Sequence, residues 1–149
     1  MQNGKDVYFV AVKVFLENDK GEFLITKDRF GCWDIPGGRL RPEDFDIPLE
    51  HVVERKLHEE LGEDLQFRLG QPIVFIRHER DEIVAEGKTE KRRIFAVGYT
   101  AQLESEHIVL GKNHVEHMWL DPHACAPELY LEGGWLRGAQ EYIQQKQLL

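Results

Sequence analysis

At 149 residues and 42% hydrophobic content, the chain is long enough to bury a core without disulfide or metal staples and short for two ordinary domains. Its charged residues, 31% of the total, are mixed in sign and interspersed with apolar ones, which argues against intrinsic disorder. A formal charge of −8 argues against a nucleic-acid backbone or an anionic membrane surface as partner.

After Met1 the residues Gln-Asn-Gly-Lys-Asp form no apolar leader, and no apolar run reaches the length of a membrane span. Cys32 and Cys125 have neither CxxC spacing nor the company a disulfide framework needs, so a reducing, cytoplasmic setting is the expectation. Val7 to Leu16 is an apolar run rich in β-branched and aromatic residues, read as a largely buried strand. Asn18-Asp19-Lys20-Gly21 is a turn signal, and Glu22 to Thr26 resumes as a strand, which predicts a hairpin. Pro36-Gly37-Gly38 then reads as a tight loop.

Leu49, Val52, Val53, Leu57 and Leu61 follow helical spacing, with Pro48 in the first turn and Gly62 at the C-terminal cap. Strands are expected at Gln71 to Arg77, Ile94 to Leu103 and Val115 to Leu120. Glu82 to Lys91 reads as an exposed polar excursion, and Trp135 to Gln147 as a final helix. With no repeats or Pro/Ser-rich linkers, residues 1–149 are expected to form one mixed α/β or α+β domain.

The negative charge is local. Glu43 to Asp64 holds nine carboxylates against Arg55 and Lys56, a net of −7, which leaves about −1 for the other 127 residues. A solvated helix face is the plain explanation. Yet Lys56, Glu59 and Glu60 fall within an arc of about 100° beside the apolar stripe. Adjacent carboxylates near a core need a compensating cation. A hard divalent metal sharing substrate phosphates is one candidate, and Lys56 itself is another.

Gly38, Asp44 and Arg55-Lys56-Leu57-His58-Glu59-Glu60-Leu61-Gly62 resemble the Nudix box: Gly, five residues, Glu, seven residues, then Arg-Glu-aliphatic-x-Glu-Glu-x-Gly-aliphatic. Trp33-Asp34-Ile35-Pro36-Gly37-Gly38 is similar to the usual lead-in to that box, here spanning residues 38–63. The resemblance implies a Nudix-type α/β/α sandwich with a mixed central sheet. The departures are a three-residue insertion before Arg55, Asp44 and Lys56 in place of two box glutamates, and Glu63 in place of an aliphatic residue. Lys56 stands where the family carries a metal ligand that is often the catalytic carboxylate.

The resemblance implies hydrolysis of a nucleoside diphosphate derivative at its pyrophosphate, with Mg²⁺ (or Mn²⁺) held by Glu59, Glu60 and the Gly38 carbonyl. Arg55 would orient the carboxylates; the alternative for it is a surface ion pair with Glu59. Lys56 cannot act as a base near neutrality unless strongly desolvated, so the base is sought among Glu59, Glu60 and the loop before the last strand. There Asn113-His114 resembles the amide–His pair of the GDP-mannose mannosyl hydrolase branch, whose His is the base for sugar C–O cleavage. Glu104 and Glu106 are weaker candidates. Gly37, Arg39 and Arg41 flank the expected phosphate site, Arg92 and Arg93 open a later strand, and Phe30 or Trp33 are candidates to stack a base.

Three readings follow: a pyrophosphohydrolase of nucleotides or nucleotide sugars; a nucleotide-sugar glycosyl hydrolase using His114; and a nucleotide-binding module in which Lys56 has impaired catalysis. The expected partner is a small molecule, without nucleic acid or membrane. A homodimer is compatible with the sequence.

Overall fold

The computed structural model describes residues 4–105 and 107–148. Seven strands form one mixed sheet: β1 (Phe9–Glu17), β2 (Phe23–Asp28), β3 (Trp33–Asp34), β4 (Gly37–Arg39), β5 (Phe67–Ala85), β6 (Lys88–Leu103) and β7 (His114–Leu120). Helix α1 (Leu49–Leu61) covers one face and α2 (Gly133–Gln147) the other. The main path runs β3-β2-β1-β6-β5, with β4 paired to β1 and β7 to β2.

The apolar run of β1 is continuous because both of its faces are covered. Val12, Val14 and Leu16 pack under α1 with Val52, Val53, Leu57 and Leu61. Ala11 and Phe15 point the other way, toward Trp135, Ala139 and Tyr142 of α2. On this second face Phe15 stacks on Tyr142 with ring centroids 4.2 Å apart.

The predicted β1–β2 hairpin exists but opens at once. The Asn18 side chain accepts the amide protons of Lys20 and Glu22, each at 3.0 Å, and closes the turn. Only Glu17 and Phe23 then pair. The rest of β1 runs parallel to β6 and antiparallel to β4. The sheet is thus split between β1 and β2, and the β3–β4 segment crosses the split.

Two expectations need correction. Pro36-Gly37-Gly38 is not merely a loop, because Gly37 and Gly38 begin β4 and lie opposite Lys13 and Val12. Gly37 adopts φ +138°, and a Cβ there would sit 2.0 Å from the Val12 carbonyl oxygen. Only glycine permits this approach. Second, Glu82 to Lys91 is no excursion: β5 and β6 continue as a paired hairpin to a turn at Glu86–Gly87. Charge pairs across the strands take the place of apolar packing there, Arg93 Nε lying 2.9 Å from Glu79 and Lys91 Nζ 3.5 Å from Asp81.

β5 is an edge strand, and α2 covers part of its free side. Gln145 Nε2 donates to the Ile73 carbonyl at 3.0 Å and Arg137 Nη2 to the Arg77 carbonyl at 3.2 Å. No described helix is long and apolar enough to cross a membrane.

Candidate active site

Helix α1 ends at Gly62, as its sequence implies, so Glu63 lies beyond the helix. The chain returns to this end through the loop before β7. The Val109 amide donates to the Leu61 carbonyl and the Gly111 amide to the Glu60 carbonyl, both at 2.9 Å. A Cβ on Gly111 would come within 2.4 Å of the Glu59 carbonyl oxygen, so the loop seats this closely because residue 111 is glycine. That seating carries Lys112, Asn113 and His114 beside the carboxylates. The result is a cleft of about 580 Å³ lined by Gly37, Arg41, Lys56, Glu59, Glu60 and residues 111–114.

Glu60 lies deepest. Its Oε2 accepts the Gly37 amide proton at 2.8 Å, which ties helix to glycine turn, and its Oε1 is 3.6 Å from His114 Nε2. Burial raises its pKa to about 7, opposed by Lys13 and by the Gly37 N–H. Burial lowers His114 below the usual histidine value, so its ring favours the neutral form near neutrality.

Around this centre lies a second layer of pairs. Asp44 is buried and receives Arg55 in a two-pronged contact at 2.5 and 2.9 Å, with the Arg41 amide at 2.8 Å. The guanidinium holds the Asp44 carboxyl well below the usual carboxylate range. Arg55 Nε also lies 3.4 Å from Glu59, and Arg41 reaches both Glu59 oxygens at 3.1 and 3.2 Å. Arg55 therefore clamps the insertion-bearing loop through Asp44, a contact the sequence reading did not include, and also lies beside Glu59 one turn on.

Lys56 is nearly buried, and its ammonium lies against Gly38, 3.3 Å from where a Cβ would stand. Burial, then Arg41, lowers its pKa. Among the described residues no ion pair within 4 Å joins Lys56 to Glu59 or Glu60, so the alternative in which Lys56 pairs with these carboxylates has no direct contact behind it.

Sequence reasoning passed over Lys13 and Asp34. Lys13 Nζ is buried, donates to Asp34 Oδ2 and to the Ile35 carbonyl at 3.0 Å each, and lies 4.6 Å from the centre of the Trp135 ring. The signal was a single lysine within a ten-residue apolar strand, a position that requires a buried partner.

Other candidates lie elsewhere. Arg39 does not line the cleft and pairs with Glu82 instead. Glu104 faces Arg68 at 3.5 Å, and Glu106 falls outside the described residues. Phe30 is exposed, whereas Trp33 packs edge-on against Tyr130.

Among the described residues no three His, Cys, Asp or Glu side chains converge as a self-sufficient metal cage. Glu59 and Glu60, adjacent and facing an open cleft, instead fit a hard cation that keeps waters and shares the phosphates of a substrate.

The sandwich thus brings a glycine turn and an acidic helix end together at one cleft. The chain belongs to the Nudix family: the model described as NUDIX domain matches residues 7–136. Proteins of this family are hydrolases acting on pyrophosphate bonds, and two of the neighbours below are named for that activity. The fold is similar to the MutT protein from Methanosarcina mazei Go1 (22% identity, TM-score 0.64, covering 96% of this chain and 97% of that one). It is similar to an ADP-ribose pyrophosphatase from Streptococcus suis 89-1591 (11% identity, TM-score 0.66, 94% and 92% covered). It also resembles the E. coli dihydroneopterin triphosphate pyrophosphohydrolase (18% identity, TM-score 0.62, 94% and 99% covered). No curated protein sequence matches the chain.

Proposed function

We propose that the protein hydrolyses a nucleoside diphosphate derivative, a nucleotide or nucleotide sugar, at its pyrophosphate linkage with Mg²⁺, for which Mn²⁺ substitutes. The observation that carries this reading is the placement of Glu60, a half-buried carboxylate fixed by the Gly37 amide beside Glu59 at an open cleft.

Glu59, Glu60 and the Gly38 carbonyl hold the cation in this reading. When bound, it neutralises phosphate oxygens and polarises phosphorus toward water. The remaining work falls to the chain. Arg41 and Lys56 supply positive charge to phosphate oxygens, and Arg55 keeps Glu59 oriented while anchoring the loop through Asp44. His114, neutral and half-buried against Glu60, accepts the proton of the attacking water. Lys56 occupies the position of the family carboxylate and cannot take that role while protonated.

The position of His114 also favours a second reading, sugar C–O cleavage with the same base. Both are tested by incubating the protein with Mg²⁺ or Mn²⁺ and nucleoside triphosphates, nucleotide sugars or dinucleoside polyphosphates, and identifying the products. Release of a nucleoside monophosphate is the expected result. Free sugar with a nucleoside diphosphate selects C–O cleavage instead, and no turnover of any compound selects the impaired binding module.

A further inference from the structure

Arg39 leaves the cleft for a cluster on the α2 face of the sheet. Opposite Ala11 in the β1–β4 register, it pairs with Glu82 near the end of β5. Arg80 Nε lies 3.2 Å from the same carboxylate and Arg92 Nε 4.0 Å. Arg92 also meets Glu90 at 3.1 Å, and Glu90 meets Lys88 at 3.4 Å. Four cations therefore surround two carboxylates, a local charge of +2 in a chain of net −8. The guanidinium carbons of Arg39 and Arg92 lie 5.1 and 5.5 Å from the centre of the Phe9 ring, which is 44% exposed. Burial and the repulsion of Arg80 and Arg92 lower the Arg39 pKa.

Glu82 and Glu90 offset only two of these four positive charges, and the uncompensated remainder favours a further anion. Flat guanidinium groups presenting several N–H donors suit phosphate oxygens. The cluster lies on the sheet face that carries Lys13. Lys13 and Phe9 are four residues apart on β1, about 13 Å at strand rise. Lys13 also lies near enough to Glu60 to oppose the rise in its pKa, so this face leads from the cleft toward the cluster.

We infer that Phe9, Arg39, Arg80 and Arg92 form a subsite for a second anionic group of the substrate, a phosphomonoester on its nucleoside, and that Glu82 keeps the arginines gathered in place until it arrives. This inference rests on the pyrophosphatase reading for the identity of the rest of the substrate. The phosphate is bound only; no bond to it is made or broken.

Binding is read without turnover by titrating adenosine 2′,5′-bisphosphate, adenosine 3′,5′-bisphosphate and AMP into the protein calorimetrically. At least one bisphosphate should bind about tenfold more tightly than AMP, the scale of one charge-assisted phosphate contact. Arg80→Gln and Arg92→Gln should each erase most of that ratio. Glu82→Gln, which frees the guanidinium groups, should increase it; a purely structural ion cluster would lose affinity in all three variants alike. Equal affinity for the three nucleotides, no measurable binding of any, or a ratio untouched by the arginine variants would overturn the subsite. Hydrolysis of NADPH against NADH, which differ by one phosphomonoester, separates the two readings. Turnover of both without preference sinks the subsite and leaves the pyrophosphatase standing, whereas a retained bisphosphate ratio without any hydrolysis does the reverse.

Discussion

Glu60 concentrates the tension of the site in one side chain. The half-buried carboxyl keeps its proton to about pH 7, whereas an unfolded chain releases it near 4.5. Between those values the folded state binds more protons, so this contribution to stability is full below pH 4.5 and is lost as pH rises through 7. Glu60→Gln keeps an acceptor for the Gly37 amide and removes the charge. At pH 8 with chelator present it should raise stability by about 2 kcal/mol in urea unfolding, within the ceiling set by the shift, while abolishing divalent-dependent hydrolysis. Retained hydrolysis would remove Glu60 from the metal-holding role. Lys56→Glu restores the family carboxylate beside Gly38 and should tighten Mn²⁺ binding at least tenfold by calorimetry; unchanged affinity would mean that the inserted loop has rebuilt the position. The box residues were legible because their identities and spacing carry the chemistry directly. Lys13 and Asp34 were not: their meaning arises from a pairing 21 positions apart, and only the split sheet brings them together.

Among elements, the loop before β7 does the most to assemble the cleft. Its seat on α1 depends on the Gly111 backbone lying against the Glu59 carbonyl. Gly111→Ala should push the loop off the helix end, lowering stability by about 1–3 kcal/mol and reducing kcat more than it raises KM, because His114 moves with the loop. A variant with wild-type kcat would show that His114 is not the proton acceptor. Both helices could be read from periodicity, since each shows a buried stripe to the sequence, and β1 from a continuous run of β-branched and aromatic residues that its two covered faces require. The outer β5–β6 hairpin could not, because its residues pair through charges and expose both faces. The two glycines of β4 were hidden for the opposite reason: a residue without a side chain carries no pattern, and its strand character comes from Val12 and Lys13 opposite.

For the whole molecule, the uneven charge distribution predicts cation dependence of stability as well as of activity. The carboxylates of the α1 segment repel one another, and a divalent ion held only by the folded state stabilises it by mass action. Mg²⁺ or Mn²⁺ at a hundred times its dissociation constant should add about 2.7 kcal/mol, seen as a rise in Tm. Ca²⁺-free monovalent salt at equal ionic strength should give a smaller, nonspecific shift, and identical shifts with both would count against a cation site.

The strand between the two halves of the sheet has a consequence for how the chain is made. β1 is synthesised well before its parallel partner, whose pairing with it begins at Ile94, 85 positions after Phe9. Until β6 is synthesised, the segment Phe-Val-Ala-Val-Lys-Val-Phe-Leu has one long edge without a mate. Such a strand matches the pattern of an aggregation-prone segment, with high β propensity, no proline and little charge. Its one charged residue, Lys13, interrupts that run, and in the folded protein its ammonium lies between Asp34 and Trp135. The local β5–β6 hairpin can form early, while the split sheet, and with it the cleft, is completed only by this long-range closure.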